Sequence, residues 1–225
     1  MLSSACGNVI SRKYEYEEEL FLALDGSARL YVNASVPALV ALRGADLPVD
    51  STARLDRQRV RDFFEHPASH VVNVTTSRRD NRRYVHVRLD VPDVRKLADA
   101  PAFQWSAYGM TSREGLYEYT QIVRAVAGKD VGHVGWTGRE LVAFRLHLPS
   151  KVPFHNSPSR TIERGNIIIW EQPLADRLTG VPVDIDVRME TSSILTRTLT
   201  LFVLMAVAVA LTFAAAIWFV RRQES

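Results

Sequence analysis

The feature that most constrains this chain is an apolar run near its C-terminus, Leu199 to Val220, which reads LTLFVLMAVAVALTFAAAIWFV. It contains no charged residue, no proline and no glycine, and its only hydroxyl groups are those of Thr200 and Thr212. About 22 residues at ~1.5 Å each give a helix of ~33 Å, enough to cross a ~30 Å hydrocarbon core. The alternatives are a buried core helix or a removable sorting tail, but core helices are seldom apolar on every face. The run therefore predicts a transmembrane helix.

Charges on either side of this helix predict its orientation. Arg221 and Arg222 follow it at once, whereas the preceding segment, 184–197, is of mixed sign. Because short cytoplasmic segments carry an excess of Lys and Arg, the tail 221–225 is predicted to be cytoplasmic and the large domain extracytoplasmic. The expectation is a single-pass membrane protein. The competing topology is a tail anchor with a cytoplasmic domain, which requires two arginines to cross the membrane.

Small residues recur at every fourth position of this predicted helix, as Ala206, Ala210 and Ala214. Such a stripe lets another helix approach closely, so one interpretation is packing against a membrane-protein partner or a second copy of the chain. The other interpretation is that alanine is simply common in membrane helices.

The composition of the whole chain is that of a folded protein. Its 225 residues are 47% hydrophobic and 24% charged, with a formal net charge of +3. These values exclude a disordered chain. They also argue against a nucleic-acid partner, because domains that bind nucleic acid are usually strongly basic. The single cysteine excludes a disulfide scaffold and a zinc site built on several cysteines.

That cysteine, Cys6, lies in a segment 1–12 that precedes the domain. Small residues followed by cysteine resemble the end of a bacterial lipoprotein signal peptide, so lipidation of Cys6 is one expectation. No basic region and no apolar region precede it in this sequence, which a start codon assigned too far downstream would explain. The alternative is an exposed free thiol with no role.

Residues 13–190 are predicted to form one α+β domain, joined to the membrane helix by a linker at 191–198. Apolar and polar residues alternate over much of this range, which predicts a mostly antiparallel sheet with helices on one face. Helices are predicted at 36–43, 51–66 and 92–100. The predicted strand pairs are 17–24 with 28–36, 71–76 with 84–91, and 103–110 with 117–126, followed by strands at 140–148, 161–163, 166–171 and 183–187.

Four glutamates stand at the start of the first predicted strand, namely Glu15, Glu17, Glu18 and Glu19. Alternation places Glu17 and Glu19 on one face. Since charged side chains are rarely buried, this pattern predicts a solvated or edge strand.

A family resemblance lies at the end of the domain. It consists of Leu148-Pro149-Ser150-Lys151-Val152, then Asn156, then Gly165-Asn166 and Ile168-Ile169-Trp170, followed by the membrane helix. This order, over about 80 residues, resembles LppM-like bacterial envelope lipoproteins. The resemblance implies an extracytoplasmic α+β domain, anchored by its C-terminal helix and proposed to bind lipid. It provides no catalytic residue to carry over, and the full signal peptide of that family is not part of this sequence.

The sequence predicts no enzyme, no metal and no cofactor. Its histidines are scattered, and Pro67 interrupts the helical spacing that would join His66 to His70. HExxH and Gly-x-Ser-x-Gly motifs do not occur in the sequence.

Two segments are candidates for contact with lipid headgroups or the membrane. The first is the predicted turn that carries Arg78, Arg79, Arg82 and Arg83, since arginine makes bidentate contacts with phosphate. The second is the glycine-rich segment 128–138, whose Trp136 would sit among headgroups. The alternatives are a solvated turn and a mobile loop with an exposed tryptophan.

The leading expectation is therefore a membrane-anchored envelope protein whose domain binds membrane lipid, another amphipathic ligand or a protein partner at the membrane surface. The alternatives are a non-catalytic structural subunit of a membrane complex and an enzyme whose site only the fold reveals. An apolar cavity large enough for an acyl chain would favour lipid binding, whereas a filled core would oppose it.

Overall fold

The computed structural model describes residues 14–192 and 194–223 and confirms a mixed α+β fold. Its helices are α1 (Val36–Arg43), α2 (Arg57–Phe64), a 3₁₀ helix (Val94–Asp99), α3 (Leu174–Leu178) and α4 (Ile194–Gln223). Its strands are β1 (Tyr14–Leu22), β2 (Ala28–Ser35), β3 (His70–Arg79), β4 (Arg82–Val91), β5 (Ser106–Arg113), β6 (Leu116–Val123), β7 (Leu141–His147), β8 (Phe154–His155), β9 (Ile167–Pro173) and β10 (Val183–Glu190).

The strands form two sheets rather than the single sheet expected from alternation. The first has the order β3-β4-β2-β1-β7-β9 and the second the order β5-β6-β10-β8. Neighbouring strands are antiparallel except β1 and β7, which are parallel. One continuous core joins the inner faces, with Tyr16, Val32 and Phe144 from the first sheet and Tyr119 and Val187 from the second.

Helix α1 forms where the sequence predicts it. The Ser35 hydroxyl accepts a hydrogen bond of 3.2 Å from the Ala38 amide, and Pro37 lies in the first turn. The helix ends at Gly44, whose positive φ of 76° lets its amide bond back to Val40. All eight residues of α1 are buried, which makes this helix part of the core.

Several elements differ from the predictions. Strand β5 begins at Ser106 rather than at residue 103, because residues 101–105 form turns. Helix α2 begins at Arg57 rather than at residue 51, because the Asp56 carboxylate caps it by accepting from the Gln58 amide at 2.8 Å. Residues 161–163 form no strand, apart from a single bridge at Glu163. Helix α4 begins at Ile194, so part of the predicted linker is helical.

Strand β1 is not the solvated edge strand that its glutamates predict. It lies inside the first sheet, between β2 and β7, and Glu15 and Glu18 are 0% and 3% exposed. The alternation is correct, but the expectation of solvation is wrong for these two residues, because Glu15 pairs with Arg82 and Glu18 pairs with Arg43.

The domain has two opposite ends, one of which leads into α4. Strand β10 finishes at Glu190, whose amide bonds to the Lys151 carbonyl at 2.9 Å, and the chain then passes to α4; this is the helix-proximal end. Strand β1 starts at the other end, where the Tyr14 carbonyl accepts a hydrogen bond from Arg79 at the β3–β4 turn; this is the distal end.

Candidate functional site

The first candidate is a buried ionic cluster between the two sheets, which we call the inter-sheet cluster. It contains Tyr16, Glu18, Arg43 and Gln121. Arg43, the last residue of α1, forms an ion pair with Glu18, and their side chains are 3% and 4% exposed. Arg43 Nε also donates to the Tyr16 hydroxyl at 2.8 Å. From the second sheet, Gln121 Nε2 donates to the other Glu18 oxygen at 3.1 Å, so the carboxylate ties both sheets to α1.

The electrostatics of this cluster favour a structural role. Burial raises the pKa of Tyr16 well above its usual value, so the phenol stays neutral. Burial opposes the charge on Arg43, but Tyr16 and Glu18 raise its pKa overall and the guanidinium stays charged. Tyr16 and Arg43 therefore keep their protons near neutral pH, which favours a structural role for these two groups.

A second buried cluster lies at the distal end around Glu15. One carboxylate oxygen accepts from Arg82 Nη2 at 2.8 Å and from the Tyr84 hydroxyl at 2.6 Å. The other accepts from Trp136 Nε1 at 3.2 Å, and Arg82 also donates to the Gly135 carbonyl at 3.0 Å. The structure thus brings two predicted site residues, Arg82 and Trp136, together on a glutamate that the sequence pattern assigns to the surface.

These contacts change the interpretation of the glycine-rich segment 128–138. Trp136 is partly buried and packs against the core, which does not fit the alternative of a mobile loop with an exposed tryptophan. Lys129 Nζ also donates to the Gly44 carbonyl at 2.7 Å. The segment is a strap that is fastened at both ends to the distal end of the domain.

The other arginines of the β3–β4 turn also have partners within the domain. Arg79 lies 4.5 Å above the Tyr84 ring, and Arg78 donates to the Ser51 carbonyl. Arg83 donates to the Asp50 carbonyl at 2.7 Å, and burial lowers its pKa. Because this turn lies at the distal end, a domain standing on α4 would hold it away from the bilayer. Contact of these arginines and Trp136 with headgroups stays a prediction.

The residues that carry the family resemblance meet at a junction between the two sheets. Asn156 Oδ1 accepts from Trp170 Nε1 of the first sheet at 3.1 Å and from the Asp186 amide of the second at 3.0 Å. Close by, the Ser150 hydroxyl donates to the Glu190 carbonyl at 2.7 Å, and Asn166 donates to the Ser150 carbonyl at 2.8 Å. These side chains fix the last strand before α4 and therefore have a structural role.

Replacing Asn156 with alanine should lower the free energy of unfolding by about 1–2 kcal/mol, because hydrogen bonds across the junction are lost. Thermal unfolding of the full chain in detergent, followed by tryptophan fluorescence, measures the change. Asn73→Ala, at an exposed position of β3, serves as the control. Equal midpoints for the two variants would contradict a role for Asn156 in joining the sheets.

Among the described residues, the space between the sheets is closely packed by buried side chains. A gap lined by Leu42, Val126 and Phe144 has a volume of about 10 Å³, roughly one water molecule. Small-molecule pockets usually measure about 300–1,000 Å³. Larger depressions on the described surface are open and lined by polar side chains, such as Arg54, Asp56 and Arg57 in one of about 710 Å³. The filled interior opposes binding of an acyl chain between the sheets.

Helix α4 has the properties of a membrane span. Residues Thr198–Ala216 form an apolar stretch of 19 residues, and none of it is buried by the rest of the domain. The Thr212 hydroxyl bonds to the Val209 carbonyl at 2.7 Å, which satisfies it within the helix. Ala206, Ala210 and Ala214 are exposed, and helix packing through them stays a prediction.

Some predicted site residues lie beyond what the structure describes. Cys6 is outside the described residues, as is the side chain of Arg221. Arg222 is described, and its guanidinium lies 5.1 Å from the Trp218 ring. Within residues 14–192 and 194–223, no group of three or more His, Cys, Asp or Glu side chains is placed to hold a metal ion.

Comparison with known proteins adds a weak structural similarity. No family model and no curated protein matches the chain. Among solved structures, it is similar to the folded domain of LppM from Mycobacterium tuberculosis, determined by NMR, with 12% identity and a TM-score of 0.43. The match covers 84% of this chain and 98% of that one. The LppM-like resemblance is thus supported only as a weak likeness in structure, and no conclusion about function follows from it.

Proposed function

We propose that this chain is a single-pass membrane protein of the bacterial envelope, whose α+β domain stands on the extracytoplasmic membrane surface. The outer surface of this domain binds a lipid or a protein partner there. The observation that carries the proposal is α4, an apolar helix of membrane-spanning length that no described part of the domain covers. The two arginines that follow the apolar run support a cytoplasmic tail.

The short connection between β10 and α4 limits how far the domain can stand from the bilayer. Three residues, 191–193, separate Glu190 from Ile194, and they span at most ~14 Å. The helical residues before Thr198 add about 6 Å. Since headgroups occupy roughly 5–7 Å of this distance, the helix-proximal end lies within about 15 Å of them.

The filled core directs binding to the outside of the domain. A lipid ligand would be held by its headgroup at the helix-proximal end, where Arg113, Lys151 and Arg164 are exposed. A protein partner would bind at the distal end. This end stands roughly one strand length, ~25 Å, further from the membrane than the helix-proximal end. In both cases the ligand meets a preformed surface rather than an internal cavity.

Labelling of single cysteines tests this topology. In a Cys6→Ser background, His133→Cys places a thiol on the exposed strap, and Ser225→Cys places one on the tail. A membrane-impermeant maleimide added to intact cells, with the outer barrier permeabilised, should label residue 133 and should label residue 225 only after lysis. The reverse pattern would establish a tail anchor with a cytoplasmic domain.

A further inference from the structure

A row of polar side chains crosses the outer face of the first sheet, the face turned away from the core. Adjacent strands contribute one residue each: Arg145 (β7), Glu17 (β1), Asn33 (β2), His86 (β4) and Ser77 (β3). The Ser77 hydroxyl lies 2.8 Å from His86 Nε2, and the Asn33 side-chain oxygen lies 2.9 Å from His86 Nδ1. A hydroxyl, a base and a group that orients the base are the parts of an activated nucleophile.

The hydrogen bonds assign a direction to each member of the row. Arg145 Nε donates to one oxygen of Glu17, so Glu17 acts as an acceptor in this row. Glu17 accepts from the Asn33 amide nitrogen at 3.4 Å, so the Asn33 oxygen faces His86. That oxygen requires a proton on His86 Nδ1, which leaves Nε2 unprotonated and able to accept from Ser77. This is the tautomer that a general base needs.

The surroundings of His86 keep its ring neutral. Partial burial lowers its pKa, and the charge of Arg79 lowers it further. Arg79 is two residues beyond Ser77 on the same face of β3. Its guanidinium lies over the Tyr84 ring and donates to the Tyr84 hydroxyl at 3.0 Å, so it supplies positive charge near the histidine.

We propose that Ser77 is a nucleophile activated by His86 and that this face of the sheet hydrolyses carboxylic esters. Ser77 Oγ attacks the carbonyl carbon while its proton passes to His86 Nε2. The ester C–O bond then breaks, the leaving alcohol takes that proton, and an acyl-serine remains. Water, deprotonated by His86, attacks the acyl-serine, releases the carboxylic acid and restores Ser77. The net reaction consumes one ester and one water, and yields one acid and one alcohol.

The form of the site indicates the kind of ester it accepts. Ser77 lies on the edge strand β3, where it and Thr75 are exposed, whereas Tyr84, opposite Ser77, is buried. An open face makes few contacts with a small molecule, so the substrate is an ester carried on an extended molecule that lies across the strands. Asn33 is a positioning residue, since it fixes the tautomer of His86 without touching the reacting atoms.

A fluorophosphonate probe, which reacts with activated serines, tests the proposal on the purified full chain in detergent. Mass spectrometry should find the adduct on Ser77, and Ser77→Ala should abolish it. His86→Gln should slow labelling by about 100-fold or more, because general-base assistance contributes about 10²–10⁴-fold. Asn33→Asp, which keeps an acceptor towards His86, should retain most of the labelling, and Asn33→Leu should lose it.

Thr75→Ala is the matched control, because Thr75 lies on the same face of β3 and directly opposite His86. This variant should label at the wild-type rate. Absence of labelling in the wild-type protein, or equal rates for wild type and His86→Gln, would overturn the proposal and leave the row as a polar network. The labelling requires only the folded domain, so its outcome is independent of the membrane topology.

Discussion

Replacing Glu18 with alanine should lower the free energy of unfolding by about 3–5 kcal/mol, which is the cost of leaving one member of a buried ion pair without its partner. Arg43 would keep its charge in the core, and Gln121 would lose the acceptor through which the second sheet is joined. A domain of ordinary stability has only about 5–15 kcal/mol in total. Urea denaturation of the full chain in detergent, followed by tryptophan fluorescence, to which the buried Trp170 contributes, measures the effect.

Two further variants identify the cause of this loss. The double variant Glu18→Leu with Arg43→Leu removes both charges and should recover much of the lost stability. Glu114→Ala breaks the exposed pair with Arg113, whose side chains are 79% and 84% exposed, and should leave the denaturation midpoint unchanged. If the double variant were less stable than Glu18→Ala, the lost stability would come from packing rather than from the unpaired arginine.

Placing arginines at the middle of α4 should release the protein from the membrane. Val203 and Val207 are exposed and lie near the centre of the stretch Thr198–Ala216. Each arginine at the centre of a span costs about 2.5–3.5 kcal/mol of insertion free energy, so the pair costs about 5–7 kcal/mol. After extraction with alkaline carbonate, Val203→Arg with Val207→Arg should be in the supernatant and the wild type in the pellet.

The matched control keeps both positions apolar. Val203→Leu with Val207→Leu should stay in the carbonate-resistant pellet, since leucine is at least as favourable as valine in hydrocarbon. A double-arginine variant that also stays in the pellet would mean that another part of the chain holds the protein on the membrane.

The parts of the fold that depend on local chemistry could be predicted from the sequence. The Asp25-Gly26-Ser27 turn specifies the first hairpin, and Ser35, Pro37 and Gly44 specify both ends of α1. The membrane helix can be predicted from the composition of its own residues. These elements are determined by residues a few positions apart, which is the range over which sequence patterns carry information.

The rest depends on partners that are distant in sequence. Nothing near Glu18 in the sequence indicates that Arg43 and Gln121 will surround it. From the sequence alone, the run of glutamates therefore predicts a solvated strand. The parallel pairing of β1 with β7 joins segments about 125 residues apart. The row containing Asn33, Ser77 and His86 has no motif, because it is aligned by strand register across the sheet rather than by spacing along the chain.

The opposite positions of Tyr14 and Glu190 have a consequence for lipidation at Cys6. Between Cys6 and Tyr14 the backbone reaches at most about 29 Å, while β1 itself extends over roughly 27–30 Å. A tether from the distal end back to the bilayer would therefore be taut in an upright domain. Lipidation of Cys6 in addition to the α4 anchor should therefore tip the domain towards the membrane, so the tilt of its sheets should differ between the lipidated protein and a Cys6→Ser variant.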